Sequence, residues 1–237
     1  FRHRPEDYGY VPDGRRAEPP VAAQTNAPHG AQLPEDGYID LRRAVRTPAF
    51  WLLTVSFTVF TGANLTTVSH VMPYLSSIGF TRTSAGVVAT IAPLLSIVGR
   101  LGLGALGDRY SRTQVSFVAY VMVGLGMVCF AAVPALGLWT LVAFLLLFGV
   151  GYGGVTALRP ALTREYFGRG HFGSIFGLVM GINAIGGIVG PPLAGRTFDT
   201  LGDYRPVWVV IAVLCLTAAC LILVSSRHRP RQQSSRP

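Results

Sequence analysis

The sequence contains no lysine, and all 20 of its basic residues are arginine. Charge of either sign is scarce, because charged residues make up 13% of the chain where soluble domains carry about 25%. Hydrophobic residues make up 50%. This composition excludes an ordinary soluble domain. The exclusive use of arginine indicates a GC-rich genome, from which we predict a prokaryotic source.

Cysteine is scarce as well. The three cysteines, Cys129, Cys215 and Cys220, lie in apolar stretches, and none of them belongs to a metal-ligand motif. We therefore expect no disulfide framework, no metal site and no cofactor. The three thiols are interpreted as buried apolar side chains.

Charge is absent from several long stretches of the chain, namely 47–81, 83–99, 113–158, 170–195 and 206–226. A membrane-spanning helix needs roughly 20 mostly apolar residues, and the longest stretch has room for two such helices around a turn. The sequence therefore predicts an all-α polytopic membrane protein. Its six transmembrane helices are predicted at about 49–77, 83–106, 113–133, 138–158, 172–195 and 205–226.

The arginines are distributed unevenly between the loops. With 1–47 on the cytoplasmic side, alternation of the spans places only Arg82, Arg196 and Arg205 outside. This asymmetry follows the positive-inside rule. We predict a multi-pass protein of the plasma (inner) membrane, with both ends of the chain and the loop 159–171 in the cytoplasm. The net charge of +9 then reports topology, and no nucleic acid partner is expected.

The segments outside the spans are polar. Residues 1–47 are interpreted as a cytoplasmic linker that ends in a short basic amphipathic helix near 38–47, at the membrane surface. A plain solvated linker is the alternative for 38–47. Residues 227–237 are predicted to form a basic cytoplasmic tail near anionic headgroups.

A glycine pattern follows the second predicted span. Gly102, Gly104 and Gly107 match G-x-G-x-x-G, which in dinucleotide-binding folds follows a strand and opens a helix. The small residues upstream instead recur at helical spacing, and no acidic residue stands about 20 positions further on. We therefore place these glycines near the end of a membrane helix and predict no nucleotide site.

Asp108 stands at the C-terminal end of the same predicted helix. Partial negative charge at a helix C-terminus disfavours a carboxylate and favours Arg109 and Arg112. Asp108 therefore needs a partner, either a basic side chain or the N-terminus of another helix. Gly104 and Gly107 would let that partner approach closely.

The stretch Gly104–Arg112, GALGDRYSR, resembles the G-x-x-x-D-R-x-x-R signature of the major facilitator superfamily. In that family the signature follows the second helix of each six-helix half, which is its place here. The resemblance implies one half of a twelve-helix transporter, with 1–47 as the central linker and a separate N-terminal six-helix half as partner. It also implies a conformational latch formed by Gly104, Asp108, Arg109 and Arg112.

Arg4-Pro-Glu-Asp-Tyr-Gly is similar to the start of the central loop in monocarboxylate transporter-like members. These members, and relatives of oxalate:formate antiporters, carry an arginine to which Arg100 corresponds. Arg100 is the one charge within the predicted spans and shares a helix face with small residues. A charge at this depth faces protein or water. We predict that Arg100 binds a substrate carboxylate; pairing with Asp108 is the alternative.

Four polar residues complete the predicted substrate site. They are Thr61, Asn64, Tyr152 and Asn183, on helices that line the cavity in the family. A bond from the threonine hydroxyl to its own backbone is the alternative for Thr61.

The predicted function is secondary transport of a small solute by alternating access, and the solute is expected to be a monocarboxylate-like organic anion. A coupling ion is left open. Efflux of drugs or other hydrophobic compounds by the same fold is the alternative, and a six-helix channel or membrane enzyme is a remote one. No G-x-S-x-G or H-E-x-x-H motif occurs, so we expect no enzyme.

Overall fold

The structure is a computed structural model and describes residues 40–228. This part of the chain forms helices α1 (Leu41–Val45), α2 (Pro48–Ser77), α3 (Arg82–Arg109), α4 (Arg112–Leu136), α5 (Leu138–Phe167), α6 (Phe172–Leu201) and α7 (Arg205–Arg227). Helices α2 to α7 are each long and apolar enough to cross a membrane. The predicted fold class is therefore confirmed. The predicted linker up to residue 39 and the tail beyond His228 lie outside the described residues.

Short connections join the six spans, so each span runs antiparallel to the one before it. Gly137 alone separates α4 from α5, with φ of 76° and ψ of −157°. This region of backbone space is accessible essentially to glycine alone. Gly168 ends α5 in the same way, with φ of 82°.

Helix α5 is longer than the sequence predicts. The apolar run ends at Leu158, and the predicted loop 159–171 is wrong as far as Phe167, because the helix continues to that residue. Hydropathy locates the part of a helix that suits hydrocarbon, whereas the helix itself ends where Gly168 takes a positive φ. Arg159 therefore lies within helix α5, directly after its apolar run, and not in a loop.

Other boundaries differ from the prediction as well: α3 and α4 each end three residues later than predicted, at Arg109 and Leu136. Helix α6 continues past 195 to Leu201, with Pro191 and Pro192 inside it. Helix α1 is shorter than the predicted 38–47, because Thr47 closes it and begins α2. The Thr47 hydroxyl donates to the Ala44 carbonyl oxygen at 2.6 Å and accepts from the Phe50 amide at 3.4 Å.

The cysteines are free thiols on α4 and α7. Cys215 is fully buried and Cys129 is half-buried, whereas Cys220 is exposed. The expectation of three buried thiols is therefore wrong for Cys220, which lies on a side of α7 that packs against no other described helix.

Small residues allow the helices that carry the candidate site to touch. Helix α5 packs against α3 and α4, while α2 packs against α6 and α7. Gly153 of α5 lies directly against the backbone of Ser96 and Arg100 in α3, and Gly99 lies against the backbone of Val150. In lipid such close approach replaces the hydrophobic effect as the source of helix association. The contact places Arg100 beside α5.

Aromatic packing fixes the C-terminal part of α2. The Tyr74 hydroxyl donates to the Phe130 carbonyl oxygen at 2.8 Å, and the Tyr74 ring lies 5.4 Å from that of Trp208. His70 Nδ1 lies 3.3 Å from the Tyr204 hydroxyl, at the start of α7. Burial raises the pKa of Tyr204 above its ordinary value, and the charge of Asp199 raises it further. Tyr204 therefore stays protonated at neutral pH and able to donate.

Gly153→Ala should lower the apparent melting temperature of the purified protein by several degrees. A Cβ at position 153 would overlap the Ser96 carbonyl and the Arg100 amide, and overpacking of this kind costs about 1–3 kcal/mol. The measurement is the reaction of Cys215 with a thiol-reactive fluorophore on heating, with Cys129 and Cys220 replaced by serine. Gly102→Ala on α3 is the control, since nothing lies within 4 Å of its added Cβ. Equal melting of the two variants would contradict the prediction.

Candidate functional site

Arg100 is exposed on α3, and its guanidinium carbon lies 5.9 Å from the centre of the Tyr152 ring on α5. This is the distance range of a cation–π contact. Both ion pairs between residues of the 40–228 range use Arg112, so no carboxylate there pairs with Arg100. A guanidinium in this setting can bind a carboxylate with two parallel N–H donors.

A second guanidinium, that of Arg159, lies between α5 and α2. Its carbon is 4.4 Å from the centre of the Phe60 ring and 5.5 Å from that of Phe57. Its Nη2 donates to Thr61 Oγ1 at 3.2 Å and, at 3.5 Å, more weakly to the Phe57 carbonyl oxygen. The Nε atom is buried and has no hydrogen-bond partner. The Tyr120 hydroxyl also lies beside this guanidinium, and the residue as a whole is half-buried.

A pair of stacked aromatic rings lies between the two arginines. Tyr152 stacks on Phe60 with ring centres 6.0 Å apart and planes 19° apart. Arg100 lies against the Tyr152 end of this pair and Arg159 against the Phe60 end. Tyr152 and Arg159 are seven residues apart on α5, which puts them on one helix face two turns apart. The two positive groups therefore belong to one surface, formed by α2, α3 and α5.

The other predicted substrate residues are separated by the structure. Thr61 lies on this surface, and its hydroxyl also donates to the Phe57 carbonyl oxygen at 2.9 Å. Asn64 is three residues further along α2, and its Oδ1 is buried without a hydrogen-bond partner. Asn183 lies instead between α2 and α6, where its Oδ1 accepts from the Thr58 hydroxyl at 3.0 Å. Its Nδ2 is buried and has no partner.

The predicted latch residues lie where α3, α4 and α5 meet. Asp108 is exposed and pairs with Arg112 at 3.3 Å, and Arg112 also lies 3.6 Å from Glu165 near the end of α5. The basic partner that Asp108 requires is therefore Arg112 and not Arg100. Arg109 is exposed. Gly104 lies opposite Ala157, and a Cβ added there would make an ordinary contact at 3.9 Å.

An apolar cavity of about 530 Å³ lies apart from this surface, between α2, α6 and α7. Its lining includes Thr58, Val189, Leu193 and Val210, and neither arginine contributes to it. The lining is almost entirely apolar. This cavity suits a hydrocarbon group and not a free anion.

Arg159 is the residue that the sequence analysis missed. Its apolar neighbours end at position 158, so hydropathy assigns it to a loop. Its spacing in the sequence could have indicated it, because Arg159 lies seven residues after Tyr152 and so on the same helix face. On α2, Phe57, Phe60 and Thr61 likewise recur at helical spacing.

The sequence matches the family model of the Major Facilitator Superfamily over residues 52–237. The chain belongs to this superfamily. Monocarboxylate transporter 12 of Homo sapiens is 30% identical over 155 residues, which cover 65% of this chain and 30% of that protein. The Xenopus laevis protein of the same name is 30% identical over 193 residues, 79% of this chain and 42% of that protein. The MFS transporter asaE of Aspergillus flavus is 25% identical, over 86% of this chain and 46% of that protein.

Solved structures share the fold of this superfamily member. The E. coli fucose:proton symporter FucP superposes with a TM-score of 0.62 at 20% identity, over 81% of this chain and 45% of the symporter. FucP in the outward conformation superposes with a TM-score of 0.64 at 19% identity, over 81% of this chain and 44% of FucP. At this identity the likeness establishes the fold alone. The chain spans less than half the length of the relatives and structures named here, as one six-helix half would.

The relatives named here are vertebrate and fungal, so they give no support to the prokaryotic source that the lack of lysine predicts. An integral, multi-pass membrane protein is supported by the family and by the six apolar helices.

Proposed function

We propose that this chain is part of a secondary transporter, not an enzyme, that moves a small organic anion by alternating access. The observation that carries this proposal is the exposed guanidinium of Arg100, which lies beside Tyr152 without a carboxylate partner among residues 40–228. A cation within a membrane span is costly unless it meets protein, water or a ligand. The monocarboxylate transporter relatives support a carboxylate as that ligand.

In this proposal Arg100 binds the carboxylate and the edge of the Tyr152 ring flanks the rest of the solute. Thr61 and Asn64 contribute polar groups from α2, and the donor of Asn64 available to a carboxylate is its amide nitrogen. Asn183 acts from the α2–α6 contact through its unpartnered Nδ2. A coupling ion and a second six-helix half would complete the transporter within the lipid bilayer.

Hydrophobic-compound efflux is a second candidate. The observation that favours it is the apolar cavity between α2, α6 and α7. Hydrophobic cations would be excluded from the α2–α3–α5 surface by its two arginines, so this function would use the cavity instead.

Arg100→Lys should weaken carboxylate binding by the full-length transporter about tenfold, and Arg100→Ala about a hundredfold. Lysine keeps the charge but loses the planar pair of donors, and a hydrogen bond to a charged group contributes about 1.5–3 kcal/mol. Binding is measured by the ligand-induced rise in melting temperature.

The double variant Arg100→Ala with Asp108→Ala separates the two roles of Arg100. If Arg100 binds solute, the double variant should bind as poorly as Arg100→Ala alone, because the two residues are not paired. Near-normal binding by the double variant would exclude a substrate role for Arg100.

Asp108→Asn should slow transport several-fold while substrate affinity changes little. Asp108 contacts Arg112 and not the proposed solute site, so its charge acts on the conformational step. The measurement is the dependence of initial uptake rate on substrate concentration in proteoliposomes. A large loss of affinity with an unchanged maximal rate would contradict the latch.

The proposed topology places the 168–171 loop in the cytoplasm and the 78–81 loop outside. In a variant without native cysteines, Gly170→Cys should react with a membrane-impermeant maleimide only after the cells are permeabilised. Thr83→Cys, also exposed, is the matched control and should react in intact cells. Labelling of position 170 in intact cells would reverse the topology.

A further inference from the structure

Arg159 has more hydrogen-bond donors than the described structure satisfies. A guanidinium has five N–H groups, and buried donors are almost always paired. The acceptors beside Arg159 are the Thr61 hydroxyl at 3.2 Å and the Phe57 carbonyl oxygen at 3.5 Å, both reached by Nη2, and the Tyr120 hydroxyl. The Thr61 hydroxyl and the backbone of α2 already share that carbonyl oxygen. The buried Nε is left without an acceptor.

Structural support of the helix contact does not account for the charge of Arg159. The rings of Phe57 and Phe60 hold the guanidinium in place by cation–π contact, but they accept no hydrogen bond in its plane. No carboxylate among residues 40–228 forms an ion pair with it. A cation held between two rings, without a counter-charge among the described residues, is preorganised for an anion.

The position of Arg159 relative to Arg100 defines what that anion is. Three successive distances join the two guanidiniums: 5.9 Å from Arg100 to the Tyr152 ring, 6.0 Å from Tyr152 to Phe60 and 4.4 Å from Phe60 to Arg159. The two cations contact different rings of one stacked pair, so each can bind a carboxylate of its own. A short chain with an acidic group at each end matches this arrangement.

We propose that Arg159 is a second anion-binding residue and that the α2–α3–α5 surface takes a dicarboxylate, with one carboxylate on Arg100 and the other on Arg159. The methylene chain passes the half-buried Tyr152 ring, which the buried Phe60 ring supports from the core, and Thr61 helps to position the Arg159 guanidinium. This inference rests on the proposed function, because it assumes that Arg100 binds a carboxylate. It adds a residue and a class of solute to that function.

The experiment compares acids of equal chain length in the full-length transporter at neutral pH. Succinate, glutarate and adipate are each paired with butyrate, valerate and hexanoate, and affinity is taken from the ligand-induced rise in melting temperature. The wild-type protein should bind its preferred dicarboxylate at least about tenfold more tightly than the matched monocarboxylate, the effect of one added charge-assisted contact.

Arg159→Gln should remove this preference. Dicarboxylate affinity should fall about tenfold, to the level of the monocarboxylate, while monocarboxylate affinity stays within about threefold because Arg100 is intact. Retained monocarboxylate binding also shows that the variant is folded. Arg164→Gln is the matched control, since it removes an exposed arginine from the same helix, and it should leave both affinities within about threefold.

The outcomes separate the two proposals. A wild-type protein that binds monocarboxylates through Arg100 but shows no preference for dicarboxylates would overturn the role of Arg159 and leave anion transport standing. The same holds if Arg159→Gln keeps the preference or weakens both classes of acid equally. Absence of any carboxylate binding in the wild type would overturn the proposed function itself.

Arg159→Lys is a second test, which stands even where Arg159→Gln does not fold. Lysine keeps the positive charge but replaces the planar fork with a single ammonium group. The dicarboxylate preference should then shrink several-fold without vanishing. An unchanged preference would contradict direct contact between the Arg159 guanidinium and a carboxylate.

Discussion

The candidate site depends on the contact between the backbones of α3 and α5. Gly153 lies directly against Ser96 and Arg100, so no side chain separates the two helices at this depth. The Arg100 side chain therefore leaves the contact sideways and lies over Tyr152, the residue that precedes Gly153. Helix association in lipid relies on such close approach. The same backbone contact therefore holds α3 against α5 and places the Arg100 guanidinium.

The second constraint is the cost of positive charge within the membrane. Both arginines lower that cost by lying against aromatic rings, but rings do not replace a hydrogen-bond acceptor or a counter-charge. The unpartnered donor at Arg159 Nε adds to the imbalance, while Asn64 Oδ1 is an unpartnered acceptor on α2. The unpartnered Asn183 Nδ2 lies apart, between α2 and α6. The α2–α3–α5 surface is thus rich in positive charge and donors, which favours an anionic ligand over a cationic one.

The sequence carried most of the fold and part of the site. Long uncharged runs locate six spans because lipid imposes a composition on whole helices, and Asp108 could be assigned a basic partner from the sign of the helix dipole. Arg159 could not be found in this way, since a helix continues beyond its apolar run and only the packing of α2 on α5 reveals what the residue faces. Asn183 and Thr61 looked equivalent in sequence, but α6 and α5 bring them different neighbours.

The same two helices carry both the proposed anion-binding surface and the proposed latch. Arg100 and Asp108 lie eight residues apart on α3, a rise of about 12 Å, and Arg159 and Glu165 lie about 9 Å apart on α5. Arg112 joins the two helix ends through contacts of 3.3 and 3.6 Å, and the Asp108 side chain is 76% exposed. Exposed ion pairs contribute little free energy, so this link can open without a large barrier. Because helices are stiff over two turns, a shift of α3 along α5 that opens the link also moves Arg100 relative to Arg159. In the proposed transporter, the spacing of the two guanidiniums, and with it the affinity for an anion that contacts both, would be coupled to the state of the proposed latch.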